Sequence, residues 1–191
     1  TGKSTLAKEL AQKLGYVYVD TGAMYRAVAL FAMQHHLIDV NQFLVQDLIA
    51  LLPKIELKFI YNSQLGFGEM FLNGVNVEKE IRTLEVSQFV SKVAEISEVR
   101  AKLVEQQQEM GKDKGIVMDG RDIGTVVFPE AELKIFMTSS AEIRAQRRFD
   151  ELKTKDANIT LEQVLKNVQE RDYIDTHRED SPLVIADDAI E

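Results

Sequence analysis

The sequence opens with Thr1-Gly2-Lys3-Ser4-Thr5, the stretch that indicates its fold. These residues match the second half of a phosphate-binding loop, G-x-x-x-x-G-K-[ST]. Backbone N–H groups at the start of a helix are unpaired and partly positive, so they suit phosphate oxygens. In such a loop Lys3 would reach the β- and γ-phosphates, and the Ser4 hydroxyl would bind Mg²⁺. The alternative is an ordinary helix start, and the residues that follow decide between the two.

The segment after the motif has the pattern that a phosphate-binding loop requires. Three leucines recur at helical spacing before Gly15, so we expect a core-facing helix over 5–14. Residues 16–19 (YVYV) predict a short buried strand, and a largely apolar helix is predicted over 23–34. A helix followed by a strand fits a β-α-β unit, which supports the phosphate-loop interpretation.

Both ends of the sequence are expected to be truncated relative to this unit. We expect about ten residues before Thr1, an apolar strand followed by the glycine-led start of the loop. Residues 189–191 (AIE) predict the beginning of a further strand.

A change of period predicts a small antiparallel sheet in the middle of the chain. After a helix over 41–52, residues 55–59 alternate apolar and charged side chains, as in a half-buried strand. Asn73-Gly74 separates two further apolar runs, which is a strong hairpin signal. Residues 54–80 are therefore expected to form an inserted sheet. Two helices are expected after it, over 84–94 and 97–110.

A charged cluster follows the next apolar run. Residues 115–119 (GIVMD) predict a buried parallel strand that ends in Asp119-Gly120-Arg121-Asp122. Ligands in open α/β sheets bind beyond the carboxyl ends of the strands, so a site is expected here. Asp119 is a candidate to order Mg²⁺ and its waters. The alternative is a turn in which Arg121 and Asp122 form a surface ion pair.

The last third of the chain carries arginines at helical spacing. Residues 133–137 predict another strand, and Ser139 with Glu142 predicts a capping box at the start of a helix. Three arginines share one face of that helix: Arg144, Arg147 and Arg148. A solvated charged face is the ordinary interpretation. The functional one is a mobile lid that clamps ATP phosphates and stabilises transition-state charge.

A second helix with an ionic stripe is expected after a polar turn over 154–158. Thr160 and Gln163 predict its capping box. Its stripe at i, i+4 and i+7 consists of Arg171, Asp175 and Arg178. The stripe either forms a self-satisfied ion-pair network or belongs to a binding site.

Composition excludes several classes of protein. At 191 residues and 45% hydrophobic content the chain fits one globular domain. Its net charge of -8 argues against a nucleic-acid binder, although six of the nine arginines follow residue 120 and predict a local cationic region. The absence of cysteine excludes disulfides and cysteine-ligated metals. No apolar run reaches the roughly 18 residues of a membrane span. The three histidines show no metal-ligand spacing.

Four segments together resemble the bacterial cytidylate (CMP) kinase family, and the resemblance runs along essentially the whole chain, including the inserted hairpin. The segments are 20–26 (DTGAMYR), 80–83 (EIRT), 119–129 (DGRDIGTVVFP) and 170–172 (ERD) with Arg178.

The resemblance implies the nucleoside-monophosphate-kinase fold. This is an α/β P-loop three-layer sandwich with a parallel sheet of strand order 2-3-1-4-5, a small antiparallel insert lobe and a helical lid. The implied divisions are a core of 1–34, 112–142 and 181–191, a monophosphate-binding lobe over about 35–111, and a lid over about 143–180.

The implied reaction is ATP + CMP (or dCMP) giving ADP + CDP (or dCDP), with Mg²⁺. The enzyme would be a cytoplasmic monomer with no nucleic-acid or membrane partner. Another P-loop small-molecule kinase, acting on UMP, AMP or a metabolite alcohol, is the first alternative. A nucleotide-binding module without catalysis is a more distant one.

Residue roles are implied only where this sequence matches the family. ATP phosphates would be held by Gly2, Lys3, Ser4, Thr5, Arg144 and Arg148. Mg²⁺ would be held by Ser4 and Asp119. The CMP phosphate would be held by Arg26 and Arg121. The cytosine would be bound by Ser91, Arg100 and Asp122, with Arg178 and Thr21 assisting, and the sugar by Arg171 and Asp175. The implied catalytic residues are Lys3, Arg26, Arg121, Arg148 and Asp119.

The residues of the implied base site have the hydrogen-bonding groups that cytosine requires. Cytosine offers an amino donor beside two acceptors, which a carboxylate and arginine or serine donors complement. Uracil reverses part of that pattern, so buried groups would be left unpaired.

Overall fold

The computed structural model describes residues 2–154 and 158–191. Thr1 of the opening motif and most of the predicted turn over 154–158 therefore lie outside the described residues. The helices and strands, in chain order, are α1 (Lys3–Leu14), β1 (Val17–Asp20), α2 (Thr21–Gln34), α3 (Val45–Leu51), β2 (Leu57–Asn62), β3 (Phe67–Leu72), β4 (Val75–Asn76), α4 (Leu84–Ala94), α5 (Ser97–Met110), β5 (Ile116–Asp119), α6 (Ala141–Lys153) and α7 (Leu161–His177).

Helix α1 has the predicted position but buries a different face. It begins two residues earlier than predicted, after Gly2 in the left-handed region, and ends at Gly15, whose N–H donates to carbonyl oxygens of the last turn. Ala7 and Ala11 are its buried residues. The predicted leucine stripe borders an open groove beside β5, with Leu6 and Leu14 exposed in the described part of the chain. Small side chains let the helix approach the sheet closely.

The parallel sheet brings two carboxylates together. Strands β1 and β5 pair in parallel, with Asp20 opposite Asp119 at their carboxyl ends. The five-stranded order 2-3-1-4-5 stays a prediction. The predicted strand over 133–137 is wrong, because in the described part of the chain Ile135 and Ile190 form a single parallel bridge and no continuous ladder.

The inserted sheet is confirmed. Strands β2, β3 and β4 form an antiparallel sheet in that order. Asn73 and Gly74 have φ of 49° and 81°, the two left-handed residues that a tight hairpin needs. Helix α3 is shorter than the predicted 41–52, because the Asp39 carboxylate accepts from two following backbone N–H groups and holds a turn there.

Most of the core lies under α2 and α4. Helix α2 is buried on nearly all sides, and α4 and α5, which have their predicted bounds, pack with it and with the inserted sheet. The largest buried side chains of this cluster include Met24, Leu48, Met70, Ile81 and Leu103.

Helices α6 and α7 have a small core of their own, formed by Ala145, Leu152, Ile159 and Val164. The Thr160–Gln163 capping box is confirmed. The cap of α6 is Ser140 and not the predicted Ser139, because it is the Ser140 hydroxyl that accepts from the Ile143 N–H. No helix in residues 2–154 and 158–191 has the length and hydropathy of a membrane span.

Candidate active site

The start of α1 meets the carboxyl ends of β1 and β5, as the opening motif predicted. The Ser4 hydroxyl donates to Asp119 Oδ2 at 2.6 Å, and the Thr21 hydroxyl donates to the Asp119 carbonyl oxygen at 2.8 Å. Gly120 permits this approach, because a Cβ there would lie 2.5 Å from Thr21 Oγ1. Burial and the neighbouring Asp20 raise the pKa of Asp119, whereas Ser4 and Lys3 oppose that shift.

Ser4 and Asp119 together fit a hard cation. They supply a hydroxyl and a carboxylate oxygen at hydrogen-bond distance, and Mg²⁺ is usually bound by one or two carboxylates together with substrate phosphates and water. Within the described residues, no group of three acidic, histidine or cysteine side chains forms a metal site by itself. The pair therefore fits a nucleotide-borne cation.

Lys3 is in an environment that disfavours its charge. Burial and the charge of Arg121 lower its pKa to about 8, against the opposing influence of Asp119 and Asp20. Phosphate oxygens placed beside Lys3 would restore the usual preference for the ammonium form.

Asp20 binds two arginines and caps a helix. Its Oδ1 accepts from the Ala23 N–H at 3.1 Å, and its Oδ2 accepts from Arg26 at 2.7 Å and from Arg82 at 2.6 Å. Arg82 also donates twice to Glu78 Oε1. Burial alone would raise the pKa of Asp20, but the two arginines lower it to about 2. Sequence reasoning gave Arg82 and Glu78 no role, although their i, i+4 spacing was a signal.

We predict that Asp20→Asn destabilises the protein by about 1–3 kcal/mol at neutral pH, since the amide keeps the helix cap but not the charge. Because the pKa of Asp20 is depressed when folded, the wild-type advantage is present above its unfolded pKa of about 4 and is lost as pH falls toward 2. Urea denaturation of both proteins from pH 7 to pH 2.5 measures this difference. A difference that stays constant over that range would contradict the ion-pair explanation.

Most of the residues predicted to bind a base lie together in a buried polar cluster, which does not include Thr21. Arg100 pairs with Asp122, and both side chains are buried. Arg100 also donates to the Ala94 carbonyl oxygen at 3.1 Å, and its guanidinium lies 5.5 Å from the Tyr25 ring centre. The alternative in which Arg121 and Asp122 form a surface pair is wrong, because Asp122 is buried against Arg100.

Asp175 organises the neighbouring side chains. Its Oδ2 accepts from Arg121 Nε at 2.9 Å, and its Oδ1 accepts from the Ser91 hydroxyl at 3.4 Å. Arg178 lies 3.6 Å away, but it follows the last residue of α7 and has extended backbone. Its backbone N–H still donates to the Ile174 carbonyl oxygen, as in a further helical residue, so Arg178 keeps its predicted place beside Asp175 at the end of the helix.

Several of these arginines have unused donors. Within the described part of the chain, Arg26 Nε, Arg171 Nε and Arg178 Nη2 are buried and have no hydrogen-bond acceptor. Buried donors without partners are rare in folded proteins and call for an explanation. An anionic ligand beside them would supply the acceptors.

Five arginines, including Arg121 and Arg171, line a cavity of about 780 Å³ next to the start of α1. Its cationic lining consists of Arg121, Arg144, Arg147, Arg148 and Arg171. This volume lies in the usual range of ligand pockets. The face of α6 that carries three of these arginines is thus part of a concave site.

Two arginines on α6 are held from outside the helix. Arg144 makes a two-pronged ion pair with Asp172 of α7, at 2.7 and 2.5 Å. Arg148 Nη2 donates to the Arg82 carbonyl oxygen at 2.7 Å. Sequence reasoning did not assign Asp172 a role, although its position next to Arg171 was a signal.

The comparison with known sequences gives matches that extend along the whole chain. The sequence model described as cytidylate kinase matches residues 1–191. Proteins named cytidylate kinase from Flavobacterium johnsoniae and Flavobacterium psychrophilum are 76% and 67% identical over 191 residues, which is 100% of this chain and 83% and 84% of theirs. One from Parabacteroides distasonis is 56% identical over 190 residues, covering 100% of this chain and 83% of its own length.

Proposed function

Because this chain belongs to the cytidylate kinase family, we propose that it transfers the γ-phosphoryl group of ATP to CMP, giving ADP and CDP, and that dCMP is also accepted. The observation that carries the proposal is a group of arginines near the start of α1, which would form a second anion site. The Nε atoms of Arg26 and Arg171 there are buried donors without an acceptor in the described residues. A module that bound only one nucleotide would have no use for them.

The ATP site is formed by the start of α1 and by α6. The N-terminus of α1 would attract the phosphates, Lys3 would supply a point charge, and Gly2 and Thr5 border the arginine-lined cavity. Arg144 and Arg148 reach the cavity from α6. Ser4 and Asp119 would hold Mg²⁺, which would neutralise charge on the ATP phosphates when bound.

The CMP phosphate site is formed by Arg26 and Arg121. A guanidinium fork matches two phosphate oxygens, so each arginine can bind the phosphate in a fixed orientation. Asp20 already orients Arg26 through a 2.7 Å ion pair. Asp175 orients Arg121 in the same way at 2.9 Å.

The base and sugar sites use the buried polar cluster. Asp122 would accept from the cytosine amino group, and Arg100 and Ser91 would donate to the ring acceptors. Arg178 lies within 3.6 Å of Asp175 at the edge of this cluster. Arg171 and Asp175 would contact the sugar. Thr21 lies outside the cluster, with its hydroxyl on the Asp119 carbonyl oxygen, so we assign it to positioning Asp119.

Catalysis then depends on position and charge. The attacking oxygen belongs to a phosphate that is already an anion, so no general base is needed. Lys3, Arg121, Arg26 and Arg148 neutralise charge that spreads over the transferred group, and alignment of the two phosphates supplies much of the rate. Movement of α6 and α7, proposed as the lid, over the cavity would exclude water and limit ATP hydrolysis. We also propose that the protein acts in the cytoplasm and as a monomer.

A nucleotide panel tests the proposal. ADP formation is measured with CMP, dCMP, UMP and AMP as acceptors. CMP should give the highest kcat/KM, with UMP at least about tenfold lower, since uracil leaves Asp122 without its donor. A higher kcat/KM with UMP or AMP would contradict the assignment of the base site. ADP formation without an acceptor gives the background.

A further inference from the structure

A buried hydrogen-bond relay joins α4 to α7 beside Arg171. Ser87 on α4 and Asn167 on α7 are 2% and 8% exposed. The Ser87 hydroxyl donates to Asn167 Oδ1 at 2.9 Å, and Asn167 Nδ2 donates to the Ser87 carbonyl oxygen at 3.4 Å. These two bonds set the orientation of the amide, because its oxygen must face the hydroxyl and its nitrogen the carbonyl.

The same hydroxyl accepts from Arg171. Arg171 Nη1 lies 3.0 Å from Ser87 Oγ. A hydroxyl has one proton and two acceptor lone pairs. Because Asn167 receives the proton, the lone pairs of Ser87 are turned toward the guanidinium. Asn167 thus acts on Arg171 through the serine.

Arg171 has little else to orient it. Its Nε is buried and has no acceptor in the residues that the structure describes. Burial and the charge of Arg121 lower the pKa of Arg171 to about 9, with Asp175 opposing that shift. The side chain lines the same cavity as Ser87 and Asn167, so the relay fixes where its free donors point.

We infer that Ser87 and Asn167 are positioning residues for Arg171 and hold its guanidinium ready for CMP. The inference rests on the proposed function, in which Arg171 contacts the sugar of CMP. The competing explanation is that the serine and asparagine only join two helices. If they position Arg171, replacing them should not change the affinity for CMP once Arg171 is absent. If they only join two helices, replacing them should change it equally with or without Arg171.

A double-mutant cycle separates the two explanations. Ser87→Ala and Arg171→Ala are made singly and together, and CMP binding is measured by calorimetry, which needs no turnover. Ser87→Ala should weaken CMP binding about tenfold, as expected for a lost hydrogen bond to a charged group. In the Arg171→Ala background the same change should have no further effect. The KM for ATP should stay within about twofold of the wild-type value.

Three variants serve as controls. Ser87→Thr keeps the hydroxyl and should restore most of the CMP affinity. Asn167→Ala leaves the hydroxyl but frees its proton, so a loss of about threefold is expected, roughly half of the full effect in free energy. Val93→Ala opens a cavity in the core on the same helix, on a different face from Ser87 and Ser91, and should bind CMP normally although it is less stable.

Normal CMP binding by Ser87→Ala, or an equal loss in both backgrounds, would overturn the inference. If Arg171→Ala binds CMP as tightly as the wild type does, Ser87 and Asn167 have nothing to position and the inference fails. The proposed function would still stand in that case, provided that the wild type phosphorylates CMP. If the wild type does not phosphorylate CMP, it is the proposed function that fails. Should Ser87→Ala not fold, Asn167→Ala carries the same cycle.

Discussion

Arg121→Ala is expected to lower turnover with CMP by at least about 10²-fold while the chain keeps its fold. Arg121 follows β5, its Nε donates to Asp175 at 2.9 Å, and its side chain borders the arginine-lined cavity. It therefore lies between the two proposed nucleotide sites. A guanidinium there stabilises charge that develops mainly in the transition state, so kcat should fall more than KM rises.

Steady-state kinetics with CMP and ATP varied separately measure this loss. Arg121→Lys keeps the charge but not the planar fork, so its loss should be smaller. Lys166→Ala is the matched control, because that lysine is on α7 with its side chain 77% exposed, and it should retain wild-type turnover. Near-normal turnover of Arg121→Ala would remove this residue from the catalytic set.

Asp122→Ala is expected to lower the free energy of unfolding by about 3–5 kcal/mol, because it breaks a buried ion pair. The side chains of Arg100 and Asp122 are 2% and 5% exposed. Without Asp122, the described partners of Arg100 are the Ala94 carbonyl oxygen and Asp180, which is 3.6 Å away and partly exposed. The guanidinium would stay buried with little compensation for its charge.

Replacing both Arg100 and Asp122 separates their effect on protein stability from their effect on CMP binding. Arg100→Met combined with Asp122→Ala removes both charges and should recover most of the lost stability, but not CMP binding. Urea denaturation measures the stability, and calorimetry measures the binding. A double variant as unstable as Asp122→Ala would contradict the ion-pair explanation. One that bound CMP normally would exclude both residues from the base site.

The sequence predicted those parts of the fold whose signals are local. Asn73-Gly74 between apolar runs led to the confirmed hairpin, and the Thr160 capping box and the bounds of α4 and α5 were correct. The start of α3 and the cap of α6 were small local errors. The larger errors arose where partners distant in the sequence decide the outcome. The apolar run over 133–137 has the composition of a strand, yet a strand needs a neighbour, and the described residues give it one bridge to Ile190.

The site was predictable as a set of residues and less so as a network. Ser4 and Asp119 were expected together and lie 2.6 Å apart through their oxygens. The sequence did not pair Arg121 with Asp175 or Arg82 with Asp20, because these contacts span 54 and 62 positions. Ser87 carries no motif at all, and only its place in the fold distinguishes it from other serines.

The hydrogen bond from Arg148 to the Arg82 carbonyl oxygen has a thermodynamic consequence. It ties α6, which carries the proposed ATP contacts, to the segment after the inserted sheet, where Arg82 binds Asp20 beside the proposed CMP phosphate site. Binding free energies are reciprocal, so if ATP changes the affinity for CMP through this contact, CMP changes the affinity for ATP by the same factor. The two substrates would then be cooperative ligands of each other, with Arg148 as part of the link between them.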